Sequence, residues 1–166
     1  MDVFTRTFLP AAAEAGVVAS TVGRHLPIFR RCVESDDATV LVSRCGRPAS
    51  STQGEFLLLL TYRRLVVTQE TRVLRRLRLH LNTDLRHLSN VTWQADSRSA
   101  VLELAVTAVD GVRERFRIKV DHPRQVWHLD ASLTNVFRSR TAPPWIGTPI
   151  SPIDVHTPVV SAAAVF

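Results

Sequence analysis

The sequence predicts an α+β fold: a strongly bent, seven-stranded antiparallel β-domain capped by one C-terminal helix and preceded by a helical arm. Three observations predict it. Between residues 38 and 120, short β-branched and apolar segments alternate with turn-forming residues. Asp110 and Gly111 sit between two of those segments, the strongest short-range hairpin signal. After Pro123, apolar residues recur at spacings of three and four, the period of a helix buried on one side.

Residues 1–37 form the predicted arm. Ala11, Ala12, Ala13 and Ala15 favour helix, and Pro10 suits a first helical turn. Gly23 is a plausible stop, with Pro27 opening a second short helix, and Val18, Val22, Phe29 and Val33 line an apolar face. Residues 38–138 form the β-domain. Its strands are expected at 38–44 (ATVLVSR), 55–61 (EFLLLLT), 64–70 (RLVVTQE), 72–82, 88–95 (LSNVTWQA), 100–109 and 112–120. In the fourth, Val73, Leu77, Leu79 and Leu81 share one face, and Arg72, Arg76, Arg78, His80 and Asn82 share the other. In the last, Val112, Glu114, Phe116, Ile118 and Val120 alternate with Arg113, Arg115, Arg117 and Lys119, and Glu114 is expected near water at the hairpin end. The closing helix, 123–137, presents Val126, Trp127, Leu129, Leu133, Val136 and Phe137 as its buried stripe. Residues 139–166 hold five prolines, from Pro143 to Pro158, and read as a flexible tail with Trp145 and Ile146 its bulky anchors.

Composition narrows the functional class. At 166 residues and 45% hydrophobic, the chain suffices for a domain with a real core. The formal net charge is +6, which suits anionic partners, and Lys119 is the only lysine among the 21 cationic residues. An arginine bias of that kind also follows from a GC-rich genome. Cys32 and Cys45 are too few for a disulfide framework and read as two thiols in a reducing compartment. The most apolar N-terminal stretch is broken by Pro10 and Glu14 and is too short to span a bilayer. Asp2 and Glu14 also argue against a secretory signal, so the cytoplasm is the expected location, peripheral to a membrane if the cations meet lipid.

Seven short strands followed by one amphipathic helix is the order of the pleckstrin-homology superfold. The stretch LLLTYRRLVVT, with Thr61, Arg64, Leu65, Val66 and Val67, resembles the second-to-third strand hairpin of bacterial PH-like and GRAM-type domains. Trp127 resembles the tryptophan that anchors the last helix in that family, so the resemblance implies that it is buried. Residues 38–138 are covered by the likeness. It implies a barrel or bent sheet plugged by the helix, and an adaptor or assembly role. Many PH domains bind inositol phosphates through a basic pattern entering the second strand; Arg44 and Arg47 precede that strand here, but 55–61 contributes no basic residue. A curved sheet with the N-terminal helices in its concavity satisfies the same element pattern.

The candidate binding residues are two cationic rows, Arg113, Arg115, Arg117 and Lys119, and Arg76 and Arg78 beside His80. Guanidinium forks suit phosphates and carboxylates alike. A solvated outer face accounts for the same rows, because alternation requires polar residues there. The groups His80, Asp84, His87 and His122, His128, Asp130 match no closed zinc spacing, so no metal or other cofactor is expected. No nucleophile elbow, phosphate-binding glycine loop or zincin helix occurs in the sequence, and no catalytic residue is assigned. The expectation is a non-enzymatic adaptor that binds a protein partner by its arm, its tail or a groove beside the last helix. The alternative is an anionic-surface binder that meets lipid or nucleic acid through the arginine rows.

Overall fold

The computed structural model describes residues 1–48, 54–71 and 74–141. Helices α1 (Val3–Glu14) and α2 (Ala19–Cys32) lead into strands β1 (Thr39–Cys45), β2 (Glu55–Thr61), β3 (Arg64–Glu70) and β4 (Leu77–Asp84). A single 3-10 turn, Leu85–His87, precedes β5 (Ser89–Asp96), β6 (Val101–Thr107), β7 (Arg113–Lys119) and helix α3 (Pro123–Thr141). The expected tail, with Trp145 and Ile146, lies outside the described residues.

The strands form two antiparallel meanders, β1-β2-β3-β4 and β5-β6-β7. Thr61 closes the β2–β3 turn by accepting the Arg64 N–H at 2.8 Å on its hydroxyl, which lets two residues suffice. Gly111, at φ +80, provides the left-handed residue of the β6–β7 hairpin. The sheets touch edge to edge where Gly46 and Arg117 exchange N–H···O bonds of 2.8 and 2.7 Å. They are therefore a pair of facing sheets, hydrogen-bonded at one corner and not closed into a barrel.

Two cores follow from this layering. Leu58, Leu60, Leu65 and Val67 of the first sheet meet Leu102, Leu104, Phe116 and Ile118 of the second, and Leu129, Leu133 and Val136 of α3 close the space. On the opposite face of the first sheet, Val42, Leu57, Leu59 and Val66 pack against Phe4, Phe8 and Phe29 of α1 and α2. Alternate residues of β2 thus serve different cores. That is why EFLLLLT is an unbroken apolar run, the signature of a strand buried on both faces.

The helices depart from their expected limits. Pro10 and Gly23 predict a start and a stop, yet α1 begins at Val3, where the Asp2 carboxylate accepts the Thr5 N–H at 2.6 Å, and Pro10 is interior. Helix α2 runs through both Gly23 and Pro27. The break falls at Gly16, at φ +64. Burial of Phe4, Phe8, Ala12 and Phe29 outweighs local propensity, as tertiary packing commonly does.

Strand β4 also departs from its alternation. A bulge pairs Val67 with Leu81 but Thr68 with Leu79, leaving His80 between them. His80 turns inward, its ring edge-on to Phe56 at 5.3 Å, and Leu81 packs on the inner core. Leu79 is left 47% exposed. The leucines therefore do not share one buried face, and His80 does not join Arg76 and Arg78 on an outer one.

Trp127 is 62% exposed, contrary both to its expected place in the buried stripe and to the burial that the resemblance implied. The buried stripe of α3 is Val126, Leu129, Leu133 and Val136, and position 127 lies about a quarter turn off it. Trp93 of β5 takes the anchoring part. Its ring meets Phe137 at 6.0 Å and its indole N–H donates to Asp130 of α3 at 2.7 Å.

Candidate functional site: a groove between the two sheet edges

Beyond the Gly46–Arg117 bridge, the edges of β1 and β7 form no further ladder pair among the described residues. The gap between them is a groove of about 250 Å³, walled by the end of α1 and the first half of α3. Residues 40–44 line it consecutively, as an unpaired strand edge does. Leu41 and Leu129 supply apolar surface, and Ala11, Ala15 and Gly16 keep the α1 wall low. Charge gathers at the rim. Arg44 donates only a long 3.4 Å bond to the Gly16 carbonyl, and the Lys119 ammonium has no partner among the described residues. Across the opening, His128 of α3 stands 3.4 Å from Glu14 of α1.

The cationic row of β7 faces outward as alternation requires, with Arg113, Arg115, Arg117 and Lys119 all exposed. Two of the four are engaged within the sheet. Arg113 donates to the Asn90 carbonyl and to the Thr92 and Thr107 hydroxyls at 2.9 to 3.1 Å, and Arg117 pairs with Glu103 at 3.0 Å. The Arg115 side chain has no partner among the described residues. Arg76 lies in the turn before β4, its backbone bonded to Thr71, and Arg78 is exposed on β4. The two rows belong to different sheets and do not form one patch. Lys119 alone of the six falls in the groove, opposite Arg44.

Glu114 was expected near water but is only 9% exposed. It points inward with Phe116 and Ile118 because Arg47, just past β1, pairs with its carboxylate. His80 Nε2 stands 3.4 Å from the same oxygen without hydrogen-bond geometry. Arg47 is therefore a structural cation that neutralises a carboxylate at the mouth of the core.

A second ionic cluster surrounds the β2–β3 turn. The Thr61 hydroxyl donates to the Asp37 carboxylate at 2.6 Å, Arg63 pairs with Glu34 and Asp36, and Arg86 pairs with Asp84 at 3.0 Å. Burial pushes the Asp37 carboxyl up, while bonds from Arg86 hold Asp84 well below the usual carboxylate range. Each of these arginines is matched by an acid, so the cluster clamps the turn to the α2–β1 connection. Cys32 and Cys45 are free thiols, both pushed up by burial and so poor nucleophiles.

The groove was legible only in outline, as space beside the last helix. Nothing in ATVLVSR marks β1 as an edge strand, and Glu14, Arg44 and His128 carry no motif. The short Ala-Gly end of α1 was the available signal, since small residues there leave a low wall. No helix among the described residues is long and apolar enough to cross a membrane. No protein-family model matches the chain, and no curated protein is similar to it in sequence.

Proposed function

We propose that the protein is a non-enzymatic interaction module on a pleckstrin-homology-like scaffold, holding a protein partner in the groove between α1, β1, β7 and α3. The observation that carries this reading is the groove itself, where two strand edges and two helix walls surround one partly apolar opening. Support for the scaffold comes from the four-then-three meander, the corner bridge and a C-terminal helix packed against both β1 and the second sheet. It does not come from Trp127. A bacterial adaptor of this kind needs a shaped, partly apolar surface, because apolar contact provides affinity and placed polar groups provide register.

A second reading, binding to an anionic surface, is favoured by one observation: Arg115 and Lys119 present charge that the fold does not consume. Salt separates the two, since counterion release weakens phosphate binding steeply and apolar contact hardly at all. The test is affinity capture from lysate of the source cells by the full chain, in parallel with Ser132→Trp, which fills the groove, and Arg115→Gln/Arg117→Gln. The module reading expects a protein retained at high salt, kept by the arginine variant and lost by Ser132→Trp. Loss at high salt and with the arginine variant would support the anionic-surface reading instead.

A further inference from the structure

The Gly46–Arg117 bridge reveals which backbone groups face the groove. In a doubly bonded antiparallel pair both residues turn N–H and C=O toward each other, so Gly46 points both groups away from β2. The two-residue period of a strand then directs those of Arg44 and Val42 to the same edge, while Cys45, Ser43 and Leu41 bond to β2. Among the described residues β1 pairs with β2 alone, so by this alternation the Val42 N–H and C=O and the Arg44 N–H have no strand opposite them. An unpaired edge of this kind is a template for another strand. Strand β7 carries two cations without a partner among the described residues, Arg115 and Lys119, whereas β1 carries none before Arg44.

We infer that the groove takes an extended, acidic peptide segment of a protein partner as an added strand on β1, with a carboxylate of that segment between Arg44 and Lys119. This rests on the interaction-module reading and specifies its ligand. Main-chain bonds to Val42 and Arg44 supply affinity, and side chains alternating between the two walls supply selectivity. Toward α1, Ala11 and Ala15 leave room for an aliphatic side chain; toward α3, Leu129 offers an apolar wall. The two cations sit at the end near the bridge, where neither has a strong partner, whereas the carboxylates that line the groove, Glu14 and Asp121, lie away from that end, so charge places the acid of the segment at Arg44 and Lys119.

The experiment uses the full chain and a display library of random 12-residue peptides. Selected peptides are synthesised, N-methylated at each position in turn, and tested against the native protein and Arg44→Gln/Lys119→Gln. The expected peptides are extended and carry Asp or Glu at a constant place. N-methylation at alternate positions should weaken them about tenfold, and the paired glutamines should do the same only while the acid is present. Binding should also slow hydrogen exchange at the Val42 and Arg44 amides. Peptides displaced by Ser132→Trp but indifferent to N-methylation would overturn strand addition and leave the groove reading standing. Failure to enrich any peptide over a blank, or enrichment indifferent to Ser132→Trp, would overturn strand addition at β1; partner capture then decides the module reading separately. If the β1 amides are already slow in the free chain and quicken on truncation after Thr141, the occupant is the chain's own C-terminal segment, and the inference is overturned.

Discussion

Trp93 and Asp130 join the second sheet to α3 through one charge-assisted hydrogen bond of 2.7 Å. Trp93→Phe keeps an aromatic ring near Phe137 while removing that donor and part of the ring volume. It should cost about 1.5–3 kcal/mol, the usual range for a hydrogen bond to a charged group. Trp127→Ala, on the exposed side of the same helix, should stay within about 0.5 kcal/mol. Urea unfolding of the two variants checks the ranking, and a costlier Trp127→Ala would show that the helix face is wrongly assigned.

His25 is 2% exposed, and its Nδ1 lies 2.7 Å from the Thr68 hydroxyl, which itself donates to the Leu57 carbonyl. Burial lowers the His25 pKa from 6.5, more than the nearby Glu70 carboxylate raises it. The unfolded chain then takes up a proton near pH 6.5 that the folded chain refuses. Stability should fall as pH drops below about 6.5, by at most about 1.4 kcal/mol per pH unit. Asp37, with its pKa raised, acts oppositely from its own titration range downward, so the comparison belongs between pH 7.5 and 5.5 (about the window set by the histidine). His25→Gln should flatten the slope. An unchanged slope would place the titrating group elsewhere.

Arg47 and Glu114 make a partly buried pair at the core mouth. Removing one partner strands the other, so Arg47→Ala should destabilise by about 1–3 kcal/mol, discounted from the fully buried case because the arginine is 32% exposed. Arg47→Met/Glu114→Leu should recover most of that loss, since an apolar pair of similar volume avoids desolvating two charges. Thermal unfolding of the single and double variants reads this directly. A double variant worse than Arg47→Ala would mean that His80 also depends on the carboxylate.

Phe8 is fully buried between Phe4 and Phe29, with ring centres 5.4 and 5.6 Å away. Phe8→Ala should cost about 3–5 kcal/mol. Deleting residues 1–37 should yield insoluble protein, because it bares Val42, Leu57, Leu59 and Val66 at once. A soluble, folded truncation would show that the arm is dispensable.

How far the fold was readable depended on how many faces each element buries. Strand β7 has one face in water, so its arginines alternate visibly with Phe116 and Ile118 and the reading holds. Strand β4 lies on a sheet covered from both sides and is bulged at His80, so a leucine every second residue did not report one buried face. The α1 and α2 limits were misplaced because Phe4, Phe8 and Phe29 hold Pro10, Gly23 and Pro27 inside helices by tertiary contact. Trp127 and Trp93 are alike in composition, and only the pairing of β5 with α3 distinguishes anchor from surface. Of the candidate site, Lys119 was read for a different face, and the unpaired β1 edge has no counterpart in local sequence.

The most direct test is a chemical-shift map of the backbone amides of the full chain when the captured partner is added. The account predicts shifts concentrated at residues 40–44, the end of α1 and the first half of α3, with Arg76, Arg78, Arg113 and Arg115 unmoved. Shifts centred on those four arginines, with the groove unmoved, would contradict it.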